Sequence, residues 1–121
     1  MMTIKRNTEN GWIWALKQAS GVLVIILILV HLVVNHLVAE NGLMSFKEVV
    51  AYLGNPWIAG MEITFLVIVI GHSLLGLRSV ILDFNPPLGF IKVLDPLLIA
   101  FGVIAAIYGI WLTIVVGSLA L

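Results

Sequence analysis

Two histidines inside long apolar runs are the residues of this chain best placed to do chemistry. His31 lies within GVLVIILILVHLVVNHLVA and His72 within ITFLVIVIGHSLLGLRSVILD. Polar groups in hydrocarbon are costly, so each needs a partner or a function. At three-to-four spacing, Ser20, Val24, Leu27, His31 and Asn35 share one helical face, and His72, Gly76, Ser79 and Asp83 share another. Gly76 leaves the helix surface beside the His72 ring without a side chain, which suits a bulky planar ligand. The imidazole then offers a nitrogen to a metal at that ligand's centre, the physical case for His72 as an axial ligand of a porphyrin iron. The competing reading is a histidine that only hydrogen-bonds to a neighbouring helix. Arg78 stands six residues further on, a rise of about 9 Å. Its guanidinium can pair bidentately with ligand carboxylates, or snorkel to the interface.

The elements that must position these groups are membrane spans. Of 121 residues, 62% are hydrophobic and 10% charged, against about half and a quarter in a soluble domain. The excess sits in three runs, predicting an all-α membrane protein of three transmembrane helices, roughly 12–39, 57–83 and 95–117, in a single unit. The first run is too long for a signal-peptide core and no small-residue cleavage site ends it, so it reads as a retained helix. Between the first two spans, Ser45 and Glu48 form a capping box with Met44 able to staple onto Val49. A short interfacial helix follows, with Phe46, Val49, Val50 and Leu53 on one face. Asn85-Pro86-Pro87 ends the second span, and Asp95-Pro96 reads as the N-cap and first position of the third. Gly102, Ala106, Gly109, Thr113 and Gly117 make a small-residue face suited to close helix packing in lipid.

Zero net charge gives no argument for nucleic acid, and the absence of cysteine excludes disulfides, iron–sulfur ligation and covalent haem attachment. Lys5, Arg6, Lys17, Arg78 and Lys92 fall on one side of the membrane and Lys47 on the other, which predicts a cytoplasmic N-terminus and an external C-terminus. Trp12, Trp14, Trp57 and Trp111 suit the interfacial belts. Counted from the cytoplasmic helix ends, His31 lies about 26 Å deep and His72 about 16 Å deep. One iron would need both at one depth, so as ligands they serve two haems, each completed by a histidine of another chain. His36, five residues past His31, faces elsewhere and takes no ligand role.

The second run carries the pattern G-x-E followed by H-x-x-x-G-x-R-x-x-x-x-D, at Gly60, Glu62, His72, Gly76, Arg78 and Asp83. It resembles the second helix of the cytochrome b membrane-anchor subunits, C and D, of succinate dehydrogenase (succinate:quinone oxidoreductase, respiratory complex II). WALKQASGVLVIILILVHLVVNHL, with Ser20-Gly21 and then His31, resembles their first helix. The resemblance implies that His72 ligates haem b and that, in two-haem members, a histidine such as His31 ligates a distal haem. It also implies a sister anchor subunit, an iron–sulfur subunit and a flavoprotein subunit as partners, with quinone reduced near the cytoplasmic face. Where the family's first helix often carries a His-Arg pair near the quinone, this chain has Lys17 and Gln18. Where the D subunit commonly has Asp-Tyr, it has Asp83-Phe84, with no hydroxyl.

Together these readings predict an anchor subunit of the bacterial or archaeal cytoplasmic membrane that holds haem b and helps form a quinone site. It works in succinate oxidation or, in reverse, fumarate reduction, and takes no part in the covalent chemistry. The candidate cofactor-binding residues are His72, His31, Arg78, Gly76, Ser20, Gln18 and Asp83, with His72 and His31 as metal ligands. A small membrane transporter is the alternative from another class. It needs an intramembrane carboxylate, for which Glu62 is the candidate. A haem-free structural anchor is a third.

Overall fold

A computed structural model describes residues 10–39 and 41–121. Lys5 and Arg6, two of the residues used to predict orientation, lie outside the described residues. Within them the chain forms four α-helices and no strand: α1 Gly11–Val38, α2 Phe46–Leu53, α3 Pro56–Asp83 and α4 Leu88–Ser118. Three are long and apolar enough to cross a membrane. At 1.5 Å per residue, α1 and α3 run about 42 Å, beyond the ~30 Å hydrocarbon core, so their ends reach the headgroup layers.

Local chemistry explains most of the boundaries. Pro56 opens α3 at its first position, and the Asn55 side chain accepts the Trp57 N–H at 3.0 Å. The capping box of α2 forms as expected: Ser45 N–H donates to Glu48 Oε2 at 2.6 Å, and Glu48 N–H donates to Ser45 Oγ at 3.3 Å. Its buried edge is displaced from the predicted one. Tyr52 is 4% exposed and the centre of contact, whereas Phe46 is 69% exposed.

The third span departs from its predicted start. Asn85, at φ 56°, turns the chain, and Pro87 takes the N-cap position at φ −63° and ψ 153°. The N–H groups of Phe90 and Ile91 then donate to the Pro87 carbonyl, at 3.0 and 3.2 Å. Helix α4 therefore begins at Leu88, seven residues before Asp95, and Pro96 lies inside it. Proline cannot donate to the carbonyl four residues back, a defect that membrane helices tolerate. Asp95 is thus not a cap, and its carboxylate is left for another partner.

Helix α3 packs against α1 and α4, while α2 lies against α3 and α4. The small-residue face of α4 makes these contacts close. A Cβ added at Gly102 would stand 2.5 Å from Leu74 Cδ1, one at Gly109 would collide with Leu66, and one at Gly117 would stand 2.5 Å from the Leu53 carbonyl oxygen. Neither α1 nor α3 has a fully buried residue. Their apolar surfaces face outward, as lipid and neighbouring chains require rather than a water-excluding core.

Candidate functional site

The antiparallel register of α1 against α3 sorts the polar groups into two levels. Ser20, Val24, Leu27, His31 and Asn35, the predicted seam of α1, are all half-buried, as the face turned to α3 should be. At one level Ser20 Oγ lies 2.9 Å from His72 Nδ1. At the other, His31 Nδ1 lies 2.8 Å from both carboxylate oxygens of Glu62. Glu62 and His72 are ten residues apart on α3, so the levels differ by about 15 Å. The two rings stand at separate depths, as the sequence predicts.

At the first level, Ser20 Oγ also donates to the Lys17 carbonyl at 2.9 Å. A hydroxyl has a single proton. With that proton spent on Lys17, the Ser20 oxygen accepts from the Nδ1–H of His72. The neutral ring then carries its lone pair on Nε2, the tautomer a metal ligand needs. Gly21 gives the ring room, since a Cβ there would stand 3.3 Å from His72 Cε1. A Cβ on Gly76, one turn after His72, would meet nothing within 4 Å, so that stretch of the α3 surface is open. Donor, tautomer and bare helix surface fit a porphyrin iron.

Next to this level Lys17 Nζ donates to Ser79 Oγ at 2.8 Å. The Arg78 guanidinium spans Asp95, with Nε to Oδ1 at 2.7 Å and Nη2 to Oδ2 at 3.3 Å. Its carboxylate partner therefore belongs to α4, which the reading of Asp95 as a cap did not anticipate. Gln18 and Asp83 are exposed, Asp83 as the last residue of α3.

At the second level three helices converge on Glu62. Besides His31, the Tyr52 hydroxyl of α2 donates to Glu62 Oε1, and Asn35 Nδ2 lies 3.5 Å from the same oxygen. Asn35 Nδ2 also approaches the His31 carbonyl at 2.6 Å and Tyr52 Oη at 2.9 Å. The carboxylate oxygens accept, so Nδ1 is the donor of this contact and Nε2 is the ring nitrogen left for another partner. The ring is tilted 38° against Phe65, with centroids 5.1 Å apart. A cavity of about 460 Å³ adjoins the group, lined by His31, Asn35, Tyr52 and Glu62 together with apolar residues of α2, α3 and α4. His36 is exposed in the last turn of α1.

Residues 2–116 match the family described as succinate dehydrogenase/fumarate reductase transmembrane subunit. The chain belongs to this family. It is also 30% identical, over 102 residues, to a succinate dehydrogenase hydrophobic membrane anchor subunit of Archaeoglobus fulgidus, covering 82% of this chain and 84% of that one. No solved structure gives a significant match. The protein is thus a membrane anchor subunit of the succinate dehydrogenase/fumarate reductase type, and the family match decides against a transporter. Membership brings the other subunits of such a complex, and a bilayer, as its surroundings.

Tyr52 escaped the sequence reading, and Glu62 was named there without its partners. Tyr52 sits three residues after Val49 in an otherwise apolar stretch of α2, so its hydroxyl was the signal that a buried acceptor faced it. Glu62 lies in an apolar run with no donor side chain one turn away on its inward face, so its partners had to come from other helices. Burial and the bond to Glu62 together push the Tyr52 hydroxyl above the ordinary tyrosine value.

Proposed function

We propose that this anchor binds haem b through His72 and a second haem through His31, each completed by a histidine of the sister subunit. It helps form a quinone site beside the first. The observation that carries the reading is the Ser20–His72 bond, 2.9 Å long, beside the open surface at Gly76. Ser20 holds the ring by Nδ1, which presents Nε2 for ligation, and Gly21 keeps the ring's edge clear. Arg78, held by Asp95 next to this level, would meet the haem propionates through its guanidinium. Bound haem supplies one-electron transfer.

The anchor holds the flavoprotein and iron–sulfur subunits at the cytoplasmic face, where its N-terminus lies, with the C-terminus outside. Lys17, Arg78 and Lys92 at that end support this orientation, with Lys47 on α2 at the other. Quinone is met at the same end, where Lys17, Ser79 and the Arg78–Asp95 pair are the polar groups at hand and Gln18 lies one residue from Lys17. Electrons pass from succinate oxidation to quinone, or from quinol to fumarate.

A pyridine haemochrome assay on the intact complex, with flavin as the internal standard, tests the reading. Two b-type haems per flavin are expected, with His72→Ala losing one. Absence of b-type Soret and α bands, or a spectrum unmoved by His72→Ala, overturns it.

A further inference from the structure

Glu62 has no part in ligation or quinone binding as proposed above, yet its carboxylate meets the side chains of His31, Asn35 and Tyr52. It is 14% exposed and takes donors from α1 and α2. A carboxylate placed in a membrane helix is expensive, and a histidine needs only a neutral acceptor to fix its orientation. Ser20 does that for His72 with a hydroxyl. A carboxylate does something more. By accepting the Nδ1–H it draws the proton toward itself and leaves the ring richer in electrons, which strengthens Nε2 as a ligand and favours the oxidised metal.

We propose that Glu62 is a positioning residue that orients His31 as an axial haem ligand and lowers the potential of that haem, with Tyr52 setting the strength of its grip. The inference rests on the haem reading of His31. Tyr52 donates to the oxygen Oε1, which also receives the His31 ring. Its O–H therefore competes for the same negative charge and weakens the pull on the imidazole. The two neighbours act in opposite senses. Glu62→Gln keeps an acceptor but removes the charge, so the haem potential rises. Tyr52→Phe leaves the carboxylate to the histidine alone, so the potential falls. An interhelical tie without a ligand role predicts neither shift, and a simple through-space effect of the Glu62 charge predicts only the first.

The test is a redox titration of the purified multi-subunit complex, following each haem by its α band and low-temperature electron paramagnetic resonance. His31→Ala first identifies the haem concerned by its loss. Glu62→Gln is expected to shift that haem's ferric-to-ferrous ratio about tenfold toward ferrous at fixed ambient potential, an upward move of about 59 mV for one electron. Tyr52→Phe is expected to move it downward by less, with the haem at His72 unmoved in both. If His31→Ala keeps every haem, the reading of His31 as a ligand fails and this role falls with it. If His31→Ala removes one haem but the variants leave its potential in place, or move it in the same direction, the haem reading stands and the role of Glu62 is overturned. Tyr52→Phe decides alone if Glu62→Gln does not assemble.

Discussion

At one level of this anchor a serine hydroxyl holds His72, with a glycine at the ring's edge. About 15 Å along α3, a carboxylate holds His31, with an amide and a phenol closing around it. The ring and the ring nitrogen are the same in both places. What differs is the charge of the acceptor and the number of helices that supply it. The His72 level is assembled from α1 and α3, the His31 level from α1, α2 and α3. A hydrogen bond to a neutral group is worth about 1 kcal/mol net and one to a charged group about 1.5–3 kcal/mol. The first arrangement fixes a tautomer at little cost, whereas the second ties the interfacial helix to the spans as well. A perturbation confined to one level should therefore spare the other.

The largest expected effect is steric. The position of a Cβ on Gly21 lies 3.3 Å from His72 Cε1, so a leucine there has to displace the ring. Gly21→Leu should abolish the haem at His72 and leave that at His31, read as haem per flavin falling from two to one. Loss of both would mean that the levels are coupled. Ser20→Ala should do less. It removes the Nδ1–H acceptor but leaves the space, and loss of such a supporting partner typically costs a metal site about tenfold in affinity or more. Haem retention under competing apo-myoglobin would measure it, and full retention would deny Ser20 a holding role.

The contrast also explains what could be read from the chain beforehand. Spans, levels and the seam of α1 were legible because hydropathy and helical period are local, and a bilayer enforces both. The partners were not. Asp95 before Pro96 has the form of a helix start, but Pro87 had already started the helix, and only the α3–α4 register shows that Arg78 claims the carboxylate. Tyr52 and Glu62 are ten residues apart with a helix break between them, and nothing local says that their side chains meet.

Alkaline pH should then separate the levels without mutating a ligand. Tyr52 holds its proton above the ordinary tyrosine value, first because it is buried and then because it donates to Glu62. In the unfolded chain that proton leaves near pH 10. The stabilisation from the neutral hydroxyl is thus complete below about pH 10 and is lost as pH rises through the folded value. Thermal unfolding followed from pH 8 to 11 should show the native anchor losing stability relative to Tyr52→Phe, with the His31 haem band failing before that of His72. Parallel curves would show that the phenol does not titrate with unfolding.

The smallest effect should come from the far end of α2, where nothing touches either histidine. Ser45 caps the helix that carries Tyr52, and its Ala variant should lose about 1 kcal/mol, the usual worth of an N-cap. The Ser45 backbone N–H, and then its hydroxyl, hold the Glu48 carboxyl below the ordinary glutamate value. A lowered value means stabilisation that is present above the ordinary carboxylate range and is lost as pH falls through the folded one. Ser45→Ala keeps the backbone N–H and removes only the hydroxyl's share, so the difference between native anchor and variant should be full at pH 7 and narrow only slightly toward pH 4. If α2 acts as a roof over one level only, Ser45→Ala should broaden the His31 haem signal and leave the His72 signal as it was. A matched change at both would mean that α2 steadies the whole bundle through α4 and Gly117, rather than the carboxylate beneath Tyr52.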